Sequence, residues 1–319
     1  MNGEQTNQPP MGWANPRERI AAATVGLFTH AEYPLAHSLD YRGDPGLFGP
    51  GSATWQVVGD MSVIVGGIRA LLVQTAHPEV AAGVADHSTY ESDPLGRLSR
   101  TTAYVTSTSY GAMPEVIAAL DRVRYAHRGV VGASHRARPY SANSESGASW
   151  VHNCLAESFL SAYQIFGPAP LTNARADQFA KEQTNLGELL RATELPTTQH
   201  DLSRWVETHP DIATSPAMEE TVAFLARPPL PLNARVPYQI LVRAAAATLP
   251  PRIAETLSIR SRPGAIAAGR SLVSVLRWSI GSSSSWWLAL ERMAAKPPQG
   301  VHFRYPPPVD GIEKVFVRR

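Results

Sequence analysis

"DMSVIVGGIRALLVQT", residues 60–75, is apolar almost all the way round a helical wheel. Past Asp60 at its start its one charge is Arg69, and Gly66-Gly67 interrupts the side-chain surface. A helix of this kind is buried on every side. The glycine pair lets a neighbouring helix come close, and the run is too short and too interrupted to span a bilayer. A buried central helix implies a shell of other helices around it, and the flanking sequence supplies them. Pro78 opens a further helix, read to about Val84. Asp93-Pro94 combines an N-cap with a first-turn proline, and Gly111 is placed to end that helix. Pro114 opens the next, which Gly132 is placed to close. Trp150–Phe166 carries Val151, Leu155, Phe159, Ala162 and Phe166 on one stripe. Helical patterns follow at about 176–193, 199–208, 216–227, 236–248, 251–258, 263–279 and 284–294. Prolines separate several of them. No run of period-two alternation bounded by hairpin turns stands out, and "SHRARPYSANSESG" (134–147) reads as a polar loop. The expected fold is all-α, a single large domain of about ten helices. It spans 17–295, between a flexible, polar tail at 1–16 and a Pro-rich tail at 296–319.

Composition agrees with a large core. Hydrophobic residues make up 44% and charged residues 18%, below the usual quarter. A formal charge of +2, with no basic stripe, argues against nucleic acid as a partner. A single cysteine, Cys154, rules out an intramolecular disulfide and a Cys-rich zinc site. The start, MNGEQTNQPPMGWANP, has neither a basic n-region nor an apolar h-region, so a cytoplasmic protein is expected, with surface association to a membrane left open. The Gly/Pro loop "YRGDPGLFGPGSATW" (41–55) matches neither phosphate-binding fingerprint and reads as structural.

Standard catalytic signatures are missing: no G-x-S-x-G, no H-E-x-x-H and no E-x-x-H occur. The histidines remain, and His77, His87, His127 and His152 lie in apolar helical context. In "RVRYAHRGVVG" (122–132), His127 follows Val116, Leu120 and Val123 at helical spacing, which places it on the buried stripe. The helix from Pro94 carries Arg97 and Thr101 four residues apart on one face, with Arg100 beside them, amid a run of Ser and Thr that are mediocre helix formers. Such a polar face could line a small-molecule pocket or serve as a packing surface. A buried helical histidine is more often a hydrogen-bonded core residue than a ligand. Beside a polar-lined pocket, a haem iron is its natural partner.

The order of segments narrows these alternatives. "LLVQTAHPEVAAGVADHSTYESDPLGRLSRTTAYV", then "RVRYAHRGVVG", then "RPYSANSESGASWVHNCLAESFLSAYQIFG", then "LARPPLP" resembles the rubber oxygenase / MpaB-type oxygenase family over about residues 55–260. The resemblance implies an all-α fold enclosing non-covalently bound haem b, and dioxygen chemistry on carbon–carbon double bonds. It implies that His127 is the proximal iron ligand. It matches Arg97 and Thr101 to the family's R-x-x-x-T on the distal side, Arg97 also as a haem-binding residue. Arg100 stands where latex-clearing members carry lysine. An arginine stays protonated and cannot serve as a neutral iron ligand. A small apolar substrate follows (an isoprenoid, lipid or polyketide-like molecule) together with O2. Two alternatives stay open: a non-catalytic helical haem- or lipid-binding protein, and a haem enzyme of other oxidative chemistry, such as a peroxygenase or hydroxylase. His77, His87 and His152 receive no haem contact, and their plain reading is helix capping or buried hydrogen bonding.

Overall fold

A computed structural model describes residues 15–28, 30, 32–89, 91–281 and 283–296. Nearly all of the two expected tails lies outside the described residues. Among the described residues there are fourteen α-helices: α1 (Pro16–Val25), α2 (Ala53–Val58), α3 (Ser62–Gln74), α4 (Pro78–His87), α5 (Pro94–Tyr110), α6 (Met113–Ala126), α7 (Glu145–Phe166), α8 (Asn173–Leu189), α9 (Gln199–Thr208), α10 (Pro216–Ala226), α11 (Leu232–Ala246), α12 (Pro251–Thr256), α13 (Ala265–Ile280) and α14 (Ser284–Arg292). The all-α single-domain expectation holds, with fourteen helices against about ten expected; the short α2 begins inside the stretch read as the Gly/Pro loop 41–55. One small departure is a hairpin of β1 (Val131–Ala133) and β2 (Pro139–Ser141), paired antiparallel with Gly132 opposite Tyr140. None of the described helices is long and apolar enough to cross a membrane.

The helix starts follow local chemistry. Asp93 accepts from Gly96 N at 3.0 Å and Pro94 occupies the first turn of α5. Ser144 accepts from Gly147 N at 3.2 Å and starts α7 five residues earlier than the apolar pattern of 150–166 indicates. The expected stripe of α7 is buried at Phe159, Ala162 and Phe166, whereas Val151 is exposed and Trp150 and Cys154 take the buried face at its start.

The molecule is organised on α3 and α7, which form the most extensive helix–helix contact. Gly66 makes that contact possible, because a Cβ there would lie 2.8 Å from Phe159 Cδ1 and 3.1 Å from Ser158 O. Gly67, by contrast, faces open space. One turn beyond Gly66, buried Arg69 meets buried Glu157 of α7. Its Nη1 and Nη2 both donate to the carboxylate, Nη1 also to Ser158 Oγ (2.8 Å), and Nε to Thr248 O (3.2 Å). Ser161 Oγ donates to Glu157 Oε1 at 2.8 Å. Each of the three guanidinium nitrogens thus donates to an acceptor, and such pairing is the condition under which a buried ion pair is tolerated. A second pair anchors α13: Arg277 donates to both oxygens of fully buried Asp60 (2.8 and 2.9 Å) and to Phe166 O (2.7 Å). Around this centre α11 packs on α3, α13 on α11 and α1 on α13, while α8 and α9 cover the other side of α7.

Removing one member of the Arg69–Glu157 pair strands the other in the core. Arg69→Met is expected to cost about 3–5 kcal/mol in urea unfolding, and the Arg69→Met/Glu157→Leu double variant clearly less than the single one. A double variant less stable than Arg69→Met would contradict this view of the pair.

Candidate active site

α5 and α6 are joined by only Gly111 and Ala112 and pack against each other, so they run antiparallel as a helical hairpin. At 1.5 Å per residue, Arg97 lies about 21 Å from the turn along α5, and His127 about 23 Å from it along α6. Residues separated by thirty positions therefore come to the same end of one hairpin. The turn itself is anchored from the Gly/Pro loop. Asp44 accepts from Met113 N (3.0 Å) and from Gly46 N (2.7 Å), and a Cβ on Gly46 would collide with Gly111 O at 2.0 Å. Glu115 accepts from Ala112 N (2.8 Å) and from Ser38 Oγ (2.9 Å), beside buried Arg292. The loop at 41–55 is structural, as its sequence indicates.

His127 is not on a buried helical stripe. α6 stops at Ala126, His127 is its C-cap, and the ring is half-buried. Gly132 does not close the helix but sits in β1. β-branched Val130 and Val131 favour an extended chain, and strand pairing takes them: Ala142 N donates to Val130 O at 3.0 Å, and Val131 pairs with Ser141. The polar loop at 134–147 accordingly contains a strand. Asn143 Nδ2 reaches back to Arg124 O (3.3 Å) in the last turn of α6. Burial lowers the pKa of His127, with the backbone of Ala142 opposing the shift in part, so the imidazole is neutral at pH 7.

On α5, Arg97 is half-buried and Thr101 is exposed, its Oγ1 donating to Arg97 O at 3.0 Å. Arg100 is exposed and folds back toward the helix start, where Nη1 donates to Asp93 Oδ2 at 3.0 Å and holds that carboxyl below its usual range. Leu98 and Tyr125, the latter 71% exposed, add apolar surface on these two helices. Thus Arg97, Arg100, Thr101 and His127 lie on one helical hairpin with the α6 C-terminus toward the α5 N-terminus.

The other histidines divide by role. His152 is buried in α7 and donates through Nε2 to Gln183 O at 2.9 Å, the structural arrangement expected for a core histidine. His87 donates from Nε2 to Val131 O at 3.2 Å, binding α4 to the hairpin. His77 precedes α4 without capping it through its side chain, and it packs against Trp150 and His209. His209 and Asp211 escaped the sequence reading. Their H-x-D spacing was the available signal, but nothing local links them to a histidine 132 positions earlier.

Residues 55–278 match the family model described as "ER-bound oxygenase mpaB/B'/Rubber oxygenase, catalytic domain". That is more than half of the chain, and the protein belongs to this family. Neither the curated proteins nor the solved structures give a significant match.

Burial pushes the His152 ring down to about 4. The unfolded ring titrates near 6.5, so between these values the unfolded chain binds the extra proton. Stability is therefore expected to fall by roughly 3 kcal/mol as pH drops from 6.5 to 4, and to flatten below that for this group. In His152→Gln, which keeps a donor toward Gln183 O, urea unfolding across this range should show a shallower pH slope. An unchanged slope would contradict the assignment.

Proposed function

We propose that this protein is a haem b-dependent oxygenase that acts with O2 on an apolar small molecule, an isoprenoid, lipid or polyketide-like compound, with oxidative cleavage of a carbon–carbon double bond as the leading reaction. The observation that carries this reading is the α5–α6 hairpin, which brings His127 and Arg97 to one end within a chain of an oxygenase family. The donor chemistry fits the group. His127 offers a neutral imidazole, the protonation state an iron ligand needs. Arg97 offers a permanent cation suited to a propionate carboxylate. Exposed Leu98 and Tyr125 offer apolar surface for a macrocycle to cover.

When bound, haem supplies the iron centre on which dioxygen is activated. The chain's own residues then have separable roles. His127 would hold the group through a ring nitrogen, and the returning strand β2 with Asn143 orients the end of α6 that carries it. Thr101 is a hydroxyl donor on the α5 side, able to exchange its bond to Arg97 O for one to a polar partner. Arg100 cannot be an axial ligand, since its guanidinium stays protonated. It would contribute a donor and positive charge beside Thr101 on the α5 side, where Asp93 now holds it. Preorganised donors of this kind are effective where negative charge develops.

The test is the oxidised and reduced absorption spectrum of protein expressed with ample haem supply, followed by O2 uptake with a panel of apolar alkenes and mass analysis of products made from labelled O2. A Soret band and label incorporation are expected. His127→Ala is expected to lower haem affinity at least about tenfold, the loss that even outer-shell partners of a metal site produce. No haem in the wild type, or full occupancy in His127→Ala, would overturn the proposal.

A further inference from the structure

His77, His209 and Asp211 bring one donor atom each within 4.8 Å of the other two, outside the α5–α6 site. We propose that these three side chains form a second, independent site for a divalent transition-metal ion, holding it with two imidazoles and one carboxylate and leaving a position open. This donor set is characteristic of zinc and non-haem ferrous sites.

The framework around the three ligands is built on both sides. His77 stands immediately before α4, and His209 and Asp211 lie in the connection from α9 to α10. A backbone bond from Ala213 N to Ala76 O (3.0 Å) joins the two segments next to the cluster. His77 is buried, and its Nδ1 makes no hydrogen bond although Glu79 Oε2 lies 3.3 Å away. A carboxylate at that nitrogen is the usual outer partner of a metal-bound imidazole, and it leaves Nε2 to the ion. Nε2 in turn faces Asp211 Oδ2 at 3.9 Å. His209 Nδ1 accepts the Asp211 backbone N–H at 3.3 Å, so Nε2 is its nitrogen for a ligand. Burial lowers the pKa of both histidines, which keeps them neutral and ready to bind.

The charges nearby are compatible. Arg138 donates to Asp211 Oδ1 at 2.7 Å, and Arg136 approaches the same oxygen at 3.7 Å while also pairing with Glu79. Both guanidiniums thus take the outer oxygen and leave Oδ2 turned toward His77. Trp150 and Trp205 wall the cluster, each with its ring centroid 4.8 Å from that of His209. Trp205 and Thr208, the residue before His209, also line an open groove of 410 Å³ beside the cluster. In a tetrahedral site with bonds near 2.0–2.1 Å the donors stand about 3.3 Å apart, so closing on an ion requires a contraction of at most about 1.5 Å, within reach of side-chain torsions in a loop.

The full chain, treated with chelator and re-equilibrated with Zn2+, tests the site by equilibrium dialysis with elemental analysis, alongside a haem assay of the same samples. One zinc per chain is expected beyond the haem iron. His209→Ala and the near-isosteric Asp211→Asn should each weaken zinc binding at least about tenfold while leaving haem content unchanged. Wild-type protein that binds no zinc, or zinc retained equally by both variants, would overturn the inference. Loss of haem by His127→Ala with zinc binding intact would support it, because the two sites share no residue.

Discussion

The close approach of α3 and α7 at Gly66 is the constraint from which the rest of the molecule follows. With no side chain at that position, the α3 backbone lies against Phe159 and Ser158, and any larger residue would force the helices apart. The same approach brings Arg69 within reach of Glu157, so a costly pair of buried charges is satisfied by five hydrogen bonds in one small volume. Packing and electrostatics reinforce each other there. Loosening the contact would weaken both, and the helices that lie on α3 and α7 would lose their common support.

The α5–α6 hairpin has a different character. Its turn is tied firmly to the Gly/Pro loop and α14 through Asp44, Glu115 and Arg292, whereas its far end carries exposed or half-buried Arg97, Arg100, Thr101 and His127. Rigid anchoring at one end with polar groups at the other is the arrangement that the proposed haem site would use. The hairpin β1–β2 ties the two candidate sites into one neighbourhood. Its first strand begins four residues after His127, and the Arg136 and Arg138 side chains of its turn reach Glu79 and Asp211 beside His77.

Local signals made much of this fold legible. Asp93-Pro94, Pro78 and Gly111 marked helix boundaries because capping and proline geometry act over only a few residues. The apolar wheel of 60–75 located the central helix because full burial leaves its mark on every position. What stayed hidden depended on distance. The end of α6 is not legible locally, because pairing of Val131 with Ser141 outcompetes continuation of the helix to Gly132, and that pairing is a tertiary choice. For the same reason the buried stripe of α6 stops short of His127. The candidate oxygenase residues follow from the order of segments rather than from spacing, since Arg97 and His127 come to one end of a helical hairpin that no local motif announces. His209 and Asp211 were invisible as partners of His77 because only the packing of α9 and α10 brings them together.

Axial ligation by His127 is most directly tested by resonance Raman spectroscopy of the reduced protein, comparing the wild type with His127→Gly before and after addition of imidazole. The iron–histidine stretching band should be present in the wild type, vanish in His127→Gly, and return at a shifted frequency when imidazole fills the vacated position. An unshifted band in His127→Gly without imidazole would mean that another histidine holds the iron, and would contradict the placement of the haem on the α5–α6 hairpin.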